Sequence, residues 1–298
     1  MIVHKSVMAK EVLDYLVPTT ENPVYLDCTT GEGGHTSLFL EKYSSLQAIG
    51  LDRDADIQKK AIDRLSCFAP RFTPVNTWFD EYLAEAKTAS VDLILIDLGI
   101  SIFHYVESNR GFSFRNEEKL DMRLDLNQTY SAYNIVNEYC EEDIANIIFK
   151  YGEERYSRRI AKKIVEEREV KKIESSKELA DIIFHAVPKD YRYGKIHPAT
   201  RSFQALRIET NSELDRISPA LENAIRVLKP NGRLAVITFH SLEDRIVKWL
   251  FKDFDKNNPG QIKILTKRPI IATEEELKDN PPSRSAKLRV IEKLEVNV

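Results

Sequence analysis

A glycine-rich segment, residues 29–36 (TTGEGGHT), follows a short apolar run that ends at Asp27. Glycines allow the backbone to turn sharply and to approach a ligand closely. Asp52 ends the next apolar run, where a carboxylate can accept hydrogen bonds from both hydroxyls of an unphosphorylated ribose. The segment and Asp52 together predict a site for a cofactor that contains adenosine, whereas a glycine-rich turn alone also occurs where no ligand binds.

The residue types in this loop favour S-adenosylmethionine (SAM) over a dinucleotide. The dinucleotide fingerprint has glycines at its first, third and sixth positions. Gly31 and Gly33 fit the first two of these positions, but Thr36 occupies the sixth. The loop carries the acidic Glu32 and no lysine, which argues against a triphosphate site. Because SAM has a cationic sulfonium and no phosphate, we predict SAM as the cofactor.

Three apolar runs in the first third of the chain predict the strands that position these residues. The runs are Val24–Asp27, Gln47–Asp52 and Val91–Asp97. Apolar residues along their whole length are typical of parallel strands that helices cover on both faces. Asp97 therefore ends a buried strand at the edge where α/β sheets bind ligands, although such a carboxylate can also simply cap the next turn.

The middle of the chain predicts helices only. Apolar residues repeat at helical spacing up to Tyr151, where Gly152 is a plausible helix end, and Ser175 with Glu178 matches a capping box. No strand is predicted for residues 127–187.

The last part of the chain returns to strand and helix. A helix is predicted over residues 221–228, a break over 229–232 and a strand over 233–239, with further strands near the end of the chain. We therefore predict an α/β protein in three segments. They are the first part of the core at residues 1–111, a helical insertion at 112–193 and the second part of the core at 194–298.

Composition limits the classes of partner. The 298 residues carry a net charge of −3, so binding to nucleic acid requires a local basic patch. The three cysteines show no metal-ligand spacing, which predicts no metal site and a reduced, cytoplasmic environment. The N-terminal residues lack the apolar run of a signal peptide, and no window is apolar enough to predict a membrane span.

Motifs along nearly the whole chain resemble those of the bacterial small-subunit ribosomal RNA (cytosine-N4-)-methyltransferase family. They are, in order, residues 4–7 (HKSV), 31–35 (GEGGH), 97–101 (DLGIS), 110–114 (RGFSF), 120–123 (LDMR), 151–155 (YGEER), 197–207 (HPATRSFQALR), 239–245 (FHSLEDR) and 283–289 (SRSAKLR).

The resemblance implies a class I SAM-dependent methyltransferase fold, Rossmann-like and doubly wound, with a helical insertion. It also implies methylation of the exocyclic amino group of a cytosine in the decoding region of small-subunit (16S) ribosomal RNA. The implied cofactor contacts are Gly33, Gly34, His35, Asp52, Phe79 and Asp97. The family usually has a Ser-Ser-Pro-Gln run after Asp97-Leu98-Gly99, and here His104 occupies the position of the glutamine that touches the cofactor.

Four residues are candidates for contact with the RNA. Arg201, Arg207 and Arg284 are candidate phosphate contacts, which would position RNA without reading its sequence. His240 follows a predicted strand and is a candidate neighbour of the target base. The alternatives are that the arginines are solvated surface residues and that the histidine is structural.

Two other functions stay open on the residues alone. One is an RNA-binding assembly factor that keeps a vestigial cofactor fold, which the intact loop and Asp52 disfavour. The other is a nicotinamide-dependent oxidoreductase, which Thr36 disfavours. Many amino methyltransferases carry an Asp/Asn-Pro-Pro-aromatic loop after the fourth strand. This chain has residues 97–100 (DLGI) there, so the sequence names no catalytic base.

Overall fold

The structure is a computed structural model that describes residues 5–295, so His4 of the first motif lies outside the described residues. The chain divides into two compact units. The first, the sheet unit, comprises Met1–Ile100 and Leu214–Val298, and the second, the helical unit, is Ser101–Glu213. The helical unit extends beyond the predicted insertion, residues 112–193, at both ends.

The sheet unit contains eight strands and seven helices within the described residues. In chain order its first part is α1 (Ala9–Tyr15), β1 (Val24–Asp27), α2 (Gly34–Lys42), β2 (Gln47–Asp52), α3 (Ala55–Leu65), β3 (Phe72–Asn76), α4 (Phe79–Glu85) and β4 (Val91–Asp97). The helical unit contributes α5 (Ile102–Val106), α6 (Ala132–Glu138), α7 (Glu141–Gly152), α8 (Ser157–Val170), α9 (Ser176–Ala186), α10 (Lys189–Arg192) and α11 (Ala199–Asn211). The second part of the sheet unit is α12 (Glu213–Val227), β5 (Leu228–Thr238), α13 (Ser241–Asn257), β6 (Ile262–Ile264), β7 (Ile270–Ile271), α14 (Glu274–Asp279) and β8 (Lys287–Lys293).

The strand order is β3-β2-β1-β4-β5-β8-β6, with β7 paired to β8. The five strands from β3 to β5 are parallel, and β8 is antiparallel to both β5 and β6. The chain winds outward from β1 in one direction and from β4 in the other. Doubly wound sheets bind ligands beyond the carboxyl ends of the strands at such a switch point, so the site is expected beside β1 and β4.

The core of the sheet unit lies on both faces of the sheet. Successive strand residues point to opposite faces, and neighbours in β4 belong to different apolar clusters. Ile94 and Ile96 pack with α12 and α13, whereas Leu93 and Leu95 pack with α1 and α2. All four are fully or almost fully buried. This two-sided burial is why the strands read as continuous apolar runs.

The helical unit, all of which the structure describes, has no strand and contains one isolated β-bridge between Lys119 and Ser175. The Ser175 side chain accepts a hydrogen bond from the Glu178 N–H, which confirms the predicted start of α9. The helix α7 ends at Gly152 as predicted, but the left-handed residue is Glu153. Gly152 serves close packing instead, because a Cβ there would lie 2.6 Å from the Arg201 carbonyl oxygen of α11.

The predicted break at residues 229–232 lies inside β5. Val91 pairs with Leu228 and Leu93 pairs with Arg233, so the four residues between bulge out opposite one residue of β4. Asn231 has a positive φ of 63° in this bulge. Among the described residues, no helix is long and apolar enough to cross a membrane.

Candidate functional site

Three aspartates end three adjacent parallel strands of the sheet unit. Asp27 ends β1, Asp52 ends β2 and Asp97 ends β4. Because β1 pairs with both β2 and β4 in parallel, the three carboxyl ends lie at one edge of the sheet. The edge is the switch point of the fold, where the sequence predicted the cofactor site.

The glycine-rich loop is fastened to Asp52. One carboxylate oxygen of Asp52 accepts a hydrogen bond of 2.9 Å from the Gly31 N–H, and the other accepts one of 2.9 Å from the Asp54 N–H. Gly31 and Gly33 have positive φ values of 55° and 78°. A Cβ on Gly33 would also lie 2.9 Å from Leu65 Cδ1. The loop therefore needs glycine here for its backbone conformation, and Asp52 is oriented by the loop that it follows.

Asp27 is a buried carboxylate whose neighbours are hydroxyls and an amide. It is 1% exposed and accepts hydrogen bonds from Thr36 Oγ1 at 2.7 Å, from the Thr29 N–H at 3.3 Å and from the Tyr25 hydroxyl at 3.3 Å. Burial raises the pKa of Asp27 from 3.8 to about 6, and these three bonds oppose the rise. Thr36, which departs from the dinucleotide pattern, therefore has a structural role, since its hydroxyl holds the buried carboxylate of Asp27.

Asp97 is the second carboxylate with a raised pKa. Its backbone N–H donates to Thr29 Oγ1 at 2.8 Å, and its carboxylate accepts from the Gly99 N–H at 3.2 Å. Burial is the main cause that raises the pKa of Asp97 from 3.8 to about 7; the hydrogen bond from Gly99 opposes the rise, and the negative charges of Asp27 and Glu243 add to it. At neutral pH the carboxyl group of Asp97 is therefore divided between its protonated and ionised forms.

His35 lies beside Asp97. Its Nε2 is 4.0 Å from a carboxylate oxygen of Asp97, and the residue is 8% exposed. Burial lowers the pKa of His35 to about 4, against the opposing effect of the Val7 carbonyl. The ring is neutral at pH 7 and does not balance the charge of Asp97. Neither ring nitrogen makes a well-formed hydrogen bond to a described residue.

The charge of this edge suits a cationic ligand. Asp27 and Asp97 are both desolvated, and within residues 5–295 neither forms an ion pair with a lysine or arginine. Desolvated carboxylates without a cation are held partly protonated, and a cation nearby would favour their ionised form. A phosphate would add a like charge here, whereas the sulfonium and ammonium groups of SAM would supply the missing positive charge. The residues therefore fit SAM.

Two other predicted cofactor residues have local partners. Gly34 begins α2 and packs against Ser6, because a Cβ there would lie 2.3 Å from the serine hydroxyl. Phe79 begins α4, is partly buried and packs against the core cluster between the sheet and α12. Glu32, whose charge helped to predict SAM, lies 3.7 Å from Lys60 and is therefore partly compensated. The contact of Phe79 with the cofactor remains a prediction.

His104 belongs to the helical unit. It lies in α5 and is 4% exposed. The centre of its ring lies 5.4 Å from the ring centre of Phe103 and 5.2 Å from that of Phe112. This aromatic packing gives the side chain a structural role inside its own unit. A cofactor contact in place of the family's glutamine remains a prediction.

His240 is the N-cap of α13. Its Nδ1 accepts a hydrogen bond of 3.4 Å from the Glu243 N–H, while the Glu243 carboxylate accepts from the Phe239 and His240 N–H groups at 2.7 and 3.2 Å. The His240 Nε2 lies 3.0 Å from Glu243 Oε1 in a geometry that is poor for a hydrogen bond. This capping box was not predicted from the sequence, because a capping box usually begins with serine or threonine and this one begins with histidine. A role at the target base remains a prediction beside this structural one.

The three candidate arginines differ in what holds them. Arg207 is 12% exposed and forms two short bonds, of 2.9 and 2.8 Å, with the carboxylate of Glu213. This ion pair accounts for Arg207 without RNA. Arg201 is exposed and donates one bond of 3.1 Å to the Glu153 carbonyl, and Arg284 is exposed in a short 3₁₀ turn. Because the first two belong to the helical unit and Arg284 to the sheet unit, their gathering at one face remains a prediction.

Comparisons with known proteins identify the family of the chain. The family described as the MraW methylase family matches residues 1–294 of the chain. The chain belongs to this family. It is 51% identical to a ribosomal RNA small subunit methyltransferase H of Treponema denticola, over 98% of each chain. It is 50% identical to a protein of the same name from a Sulfurihydrogenibium species, over 97% of this chain and 99% of that one. A third relative of that name, from Borrelia turicatae, is 47% identical over 98% of each chain.

Membership confirms two predictions. The chain is a SAM-dependent methyltransferase, and its α/β sheet with strand order β3-β2-β1-β4-β5 is the class I, Rossmann-like fold that the resemblance implied. The nicotinamide-dependent oxidoreductase and the vestigial assembly factor have no support among the relatives.

Proposed function

We infer that this chain transfers a methyl group from SAM to the exocyclic amino group of a cytosine in small-subunit (16S) ribosomal RNA. The observation that carries this inference is the edge of the sheet where Asp27 and Asp97 lie desolvated without a cation, beside a glycine loop fastened to Asp52. The relatives of nearly equal length carry the name of a small-subunit ribosomal RNA methyltransferase, which supplies the substrate class. The substrate partner is the small ribosomal subunit, and the compartment is the cytoplasm.

We assign the cofactor to the residues at the edge of the sheet. Asp52 would accept hydrogen bonds from the ribose hydroxyls, because its carboxylate is already aimed by Gly31. Asp97 and Asp27 would stabilise the positive charge of the ligand. Gly33, Gly34 and His35 would contact the cofactor from the loop. Phe79 and His104 would be further cofactor contacts. When bound, SAM supplies an electrophilic methyl group.

The contribution of the chain to the reaction is chiefly orientation and electrostatics. The amino lone pair of cytosine is delocalised into the ring, so hydrogen bonds to the amino protons would favour the more tetrahedral, nucleophilic nitrogen. The cytosine must also leave its stack before it can be reached. Arg201 and Arg284 are proposed to hold the phosphates of the RNA. His240 is proposed to lie near the base, with its ring direction fixed by Glu243.

Calorimetry and methyl transfer test the proposal together. SAM should bind the purified chain and a nicotinamide dinucleotide should not. Labelled methyl should pass from SAM to isolated small subunits that lack the modification. Asp52→Ala should weaken SAM binding, whereas Asp63→Ala, which removes the same charge from an exposed position on α3, should not. Binding of the dinucleotide, or an absence of methyl transfer by a protein that binds SAM, would contradict the proposal.

A further inference from the structure

We propose that a lysine-lined cavity beside the last strand of the sheet, with the neighbouring exposed Trp249, is a docking surface for a single-stranded stretch of RNA outside the cofactor site. The cavity measures about 510 Å³ and is lined by parts of α13, β6 and the loop after β6. We call it the lysine cavity. None of the candidate cofactor residues lines it.

The charges around the lysine cavity are strongly unbalanced. Lys248, Lys252, Lys263 and Lys267 line it together with Arg289, and Asp255 is the one acidic residue among them. Arg289 is already paired, since its Nε donates to Asp244 Oδ1 at 2.7 Å. Four lysines therefore face one aspartate, in a chain whose net charge is −3.

In the described part of the chain, the four lysines of the cavity are not neutralised by ion pairs. Within residues 5–295, no ion pair or hydrogen bond engages the ammonium group of any of the four. The residue opposite Lys263 in the antiparallel pair of β6 and β8 is Glu292. The carboxylate of Glu292 is occupied by Arg233 at 2.8 Å. Unpaired cations lining one concave surface are typical of sites that track a phosphate backbone.

Trp249 adds an aromatic surface beside the lysine cavity, next to two of the lysines that line it. It is 52% exposed, although large apolar side chains are usually buried. The ammonium groups of Lys248 and Lys252 lie 5.2 and 5.3 Å from the centre of its ring. An exposed aromatic ring next to a cationic groove is the arrangement on which unpaired bases stack while lysines hold their phosphates.

A second cavity nearby limits where the phosphate backbone of the RNA would run. Trp249 lines this second cavity, of about 720 Å³, together with Arg245, Glu222 and Asp253, and does not line the lysine cavity. The acidic residues there outnumber the basic one, so an RNA backbone is assigned to the lysine cavity and not to this one. The charge favours RNA as the occupant, because four lysines and one arginine line the lysine cavity against a single acidic residue, and a phosphate backbone supplies one negative charge per nucleotide.

The inference rests on the proposed function, and two double variants test it separately from that function. Lys263→Ala/Lys267→Ala removes two charges from the cavity, and Lys10→Ala/Lys42→Ala removes two exposed charges from α1 and α2 as the matched control. The probes are intact small subunits and deproteinised small-subunit ribosomal RNA. Affinity is measured over a range of salt concentrations, and single-turnover methyl transfer is measured at saturating subunit.

The cavity variant should bind both probes more weakly and should show a salt dependence of log K that is shallower by about 1.4, the value for two phosphates on a single strand. The control should match wild type, and the transfer rate at saturation should be unchanged in both. Trp249→Ala should weaken binding by at least about 5-fold, and Trp249→Phe should restore it, because the benzene ring also stacks.

Equal affinity and equal salt dependence in the cavity variant and wild type would overturn the inference. So would a loss seen with intact subunits but not with deproteinised RNA, since the partner would then be a ribosomal protein. If wild type binds RNA but transfers no methyl group, the proposed function fails on its own, and the affinity comparison still decides the role of the cavity.

Discussion

The raised pKa of Asp97 gives the most specific prediction of this site. In the folded chain the carboxyl group keeps its proton up to a pH of about 7, whereas in the unfolded chain it ionises near its usual value of 3.8. The folded state thus binds more protons than the unfolded state between these values. By linkage, this group makes the free energy of unfolding fall as the pH rises from about 4 to about 8.

The magnitude follows from the pKa difference and the exposure of the side chain. A change from 3.8 to about 7 corresponds to about 4 kcal/mol. The Asp97 side chain is 19% exposed, and water near it screens part of this cost, so we expect roughly half, about 2 kcal/mol, at pH 8. An asparagine side chain at this position cannot ionise and avoids this cost.

We therefore expect Asp97→Asn to be more stable than wild type at pH 8, with a smaller advantage at pH 5. Urea unfolding at both pH values measures the difference, which should grow by about 1–2 kcal/mol from pH 5 to pH 8. Asp63→Asn is the control at an exposed position and should show no such growth. The same substitution of Asp97 should weaken SAM binding. In wild type, SAM affinity should rise about 10-fold from pH 6 to pH 8 as Asp97 ionises.

Two results would refute this reasoning. A stability difference between Asp97→Asn and wild type that does not change with pH would mean that Asp97 ionises normally in the folded chain. A SAM affinity that stays level from pH 6 to pH 8 in wild type would mean that its ionised form does not face the cation.

The other predictions use the same unfolding and binding measurements. Asp52→Ala should weaken SAM binding by ~1.5–3 kcal/mol with little change in stability, since it removes hydrogen bonds to a charged group; unaltered affinity in the folded variant would remove Asp52 from the site. Arg207→Ala should destabilise the chain by about 3 kcal/mol, because it leaves Glu213 mostly buried and unpaired. Arg201→Ala should weaken RNA binding and leave stability and SAM affinity intact. A loss of stability in Arg201→Ala and a loss of RNA binding alone in Arg207→Ala would contradict both assignments. His240→Ala should slow methyl transfer more than it weakens RNA binding, and recovery of the rate in His240→Ser would show that the residue acts only as a helix cap. Gly152→Ala should cost about 1–3 kcal/mol, because its Cβ would meet the backbone of α11, and a neutral effect would contradict the close packing.

The strands that carry the site could be predicted from sequence because they are buried on both faces. Val24–Asp27, Gln47–Asp52 and Val91–Asp97 have the bounds that their apolar runs predicted. The strand β3 escaped prediction. It pairs with β2 alone, is half-exposed and contains Pro74. An edge strand is not covered on all sides, so it does not need a continuous apolar run. It can also contain proline, because only the N–H groups on one side form hydrogen bonds to a neighbouring strand. Its sequence therefore gives a weak signal.

The partners of the site residues could not be predicted from sequence, because they depend on tertiary contact. Arg207 pairs with Glu213, six positions later in the chain. The three- or four-residue spacing at which side chains meet on one helix does not predict this pair, because the left-handed Ser212 separates the two helices that carry them. The raised pKa of Asp97 likewise depends on burial beside Asp27, seventy positions earlier in the chain. The sequence identified the carboxylates, and only the fold shows that they lack a cation.

The identity of the methylated atom tests the central claim most directly. Unmodified small subunits are incubated with the purified chain and methyl-labelled SAM, the RNA is digested to nucleosides, and the labelled nucleoside is identified by mass spectrometry. Our account predicts label in N4-methylcytidine from one position of the small-subunit RNA, with wild-type chain and with Asp63→Ala, and much less with Asp52→Ala at limiting SAM. Label on a ring carbon, on another base or on ribosomal protein, or no label in a chain that binds SAM, would contradict it.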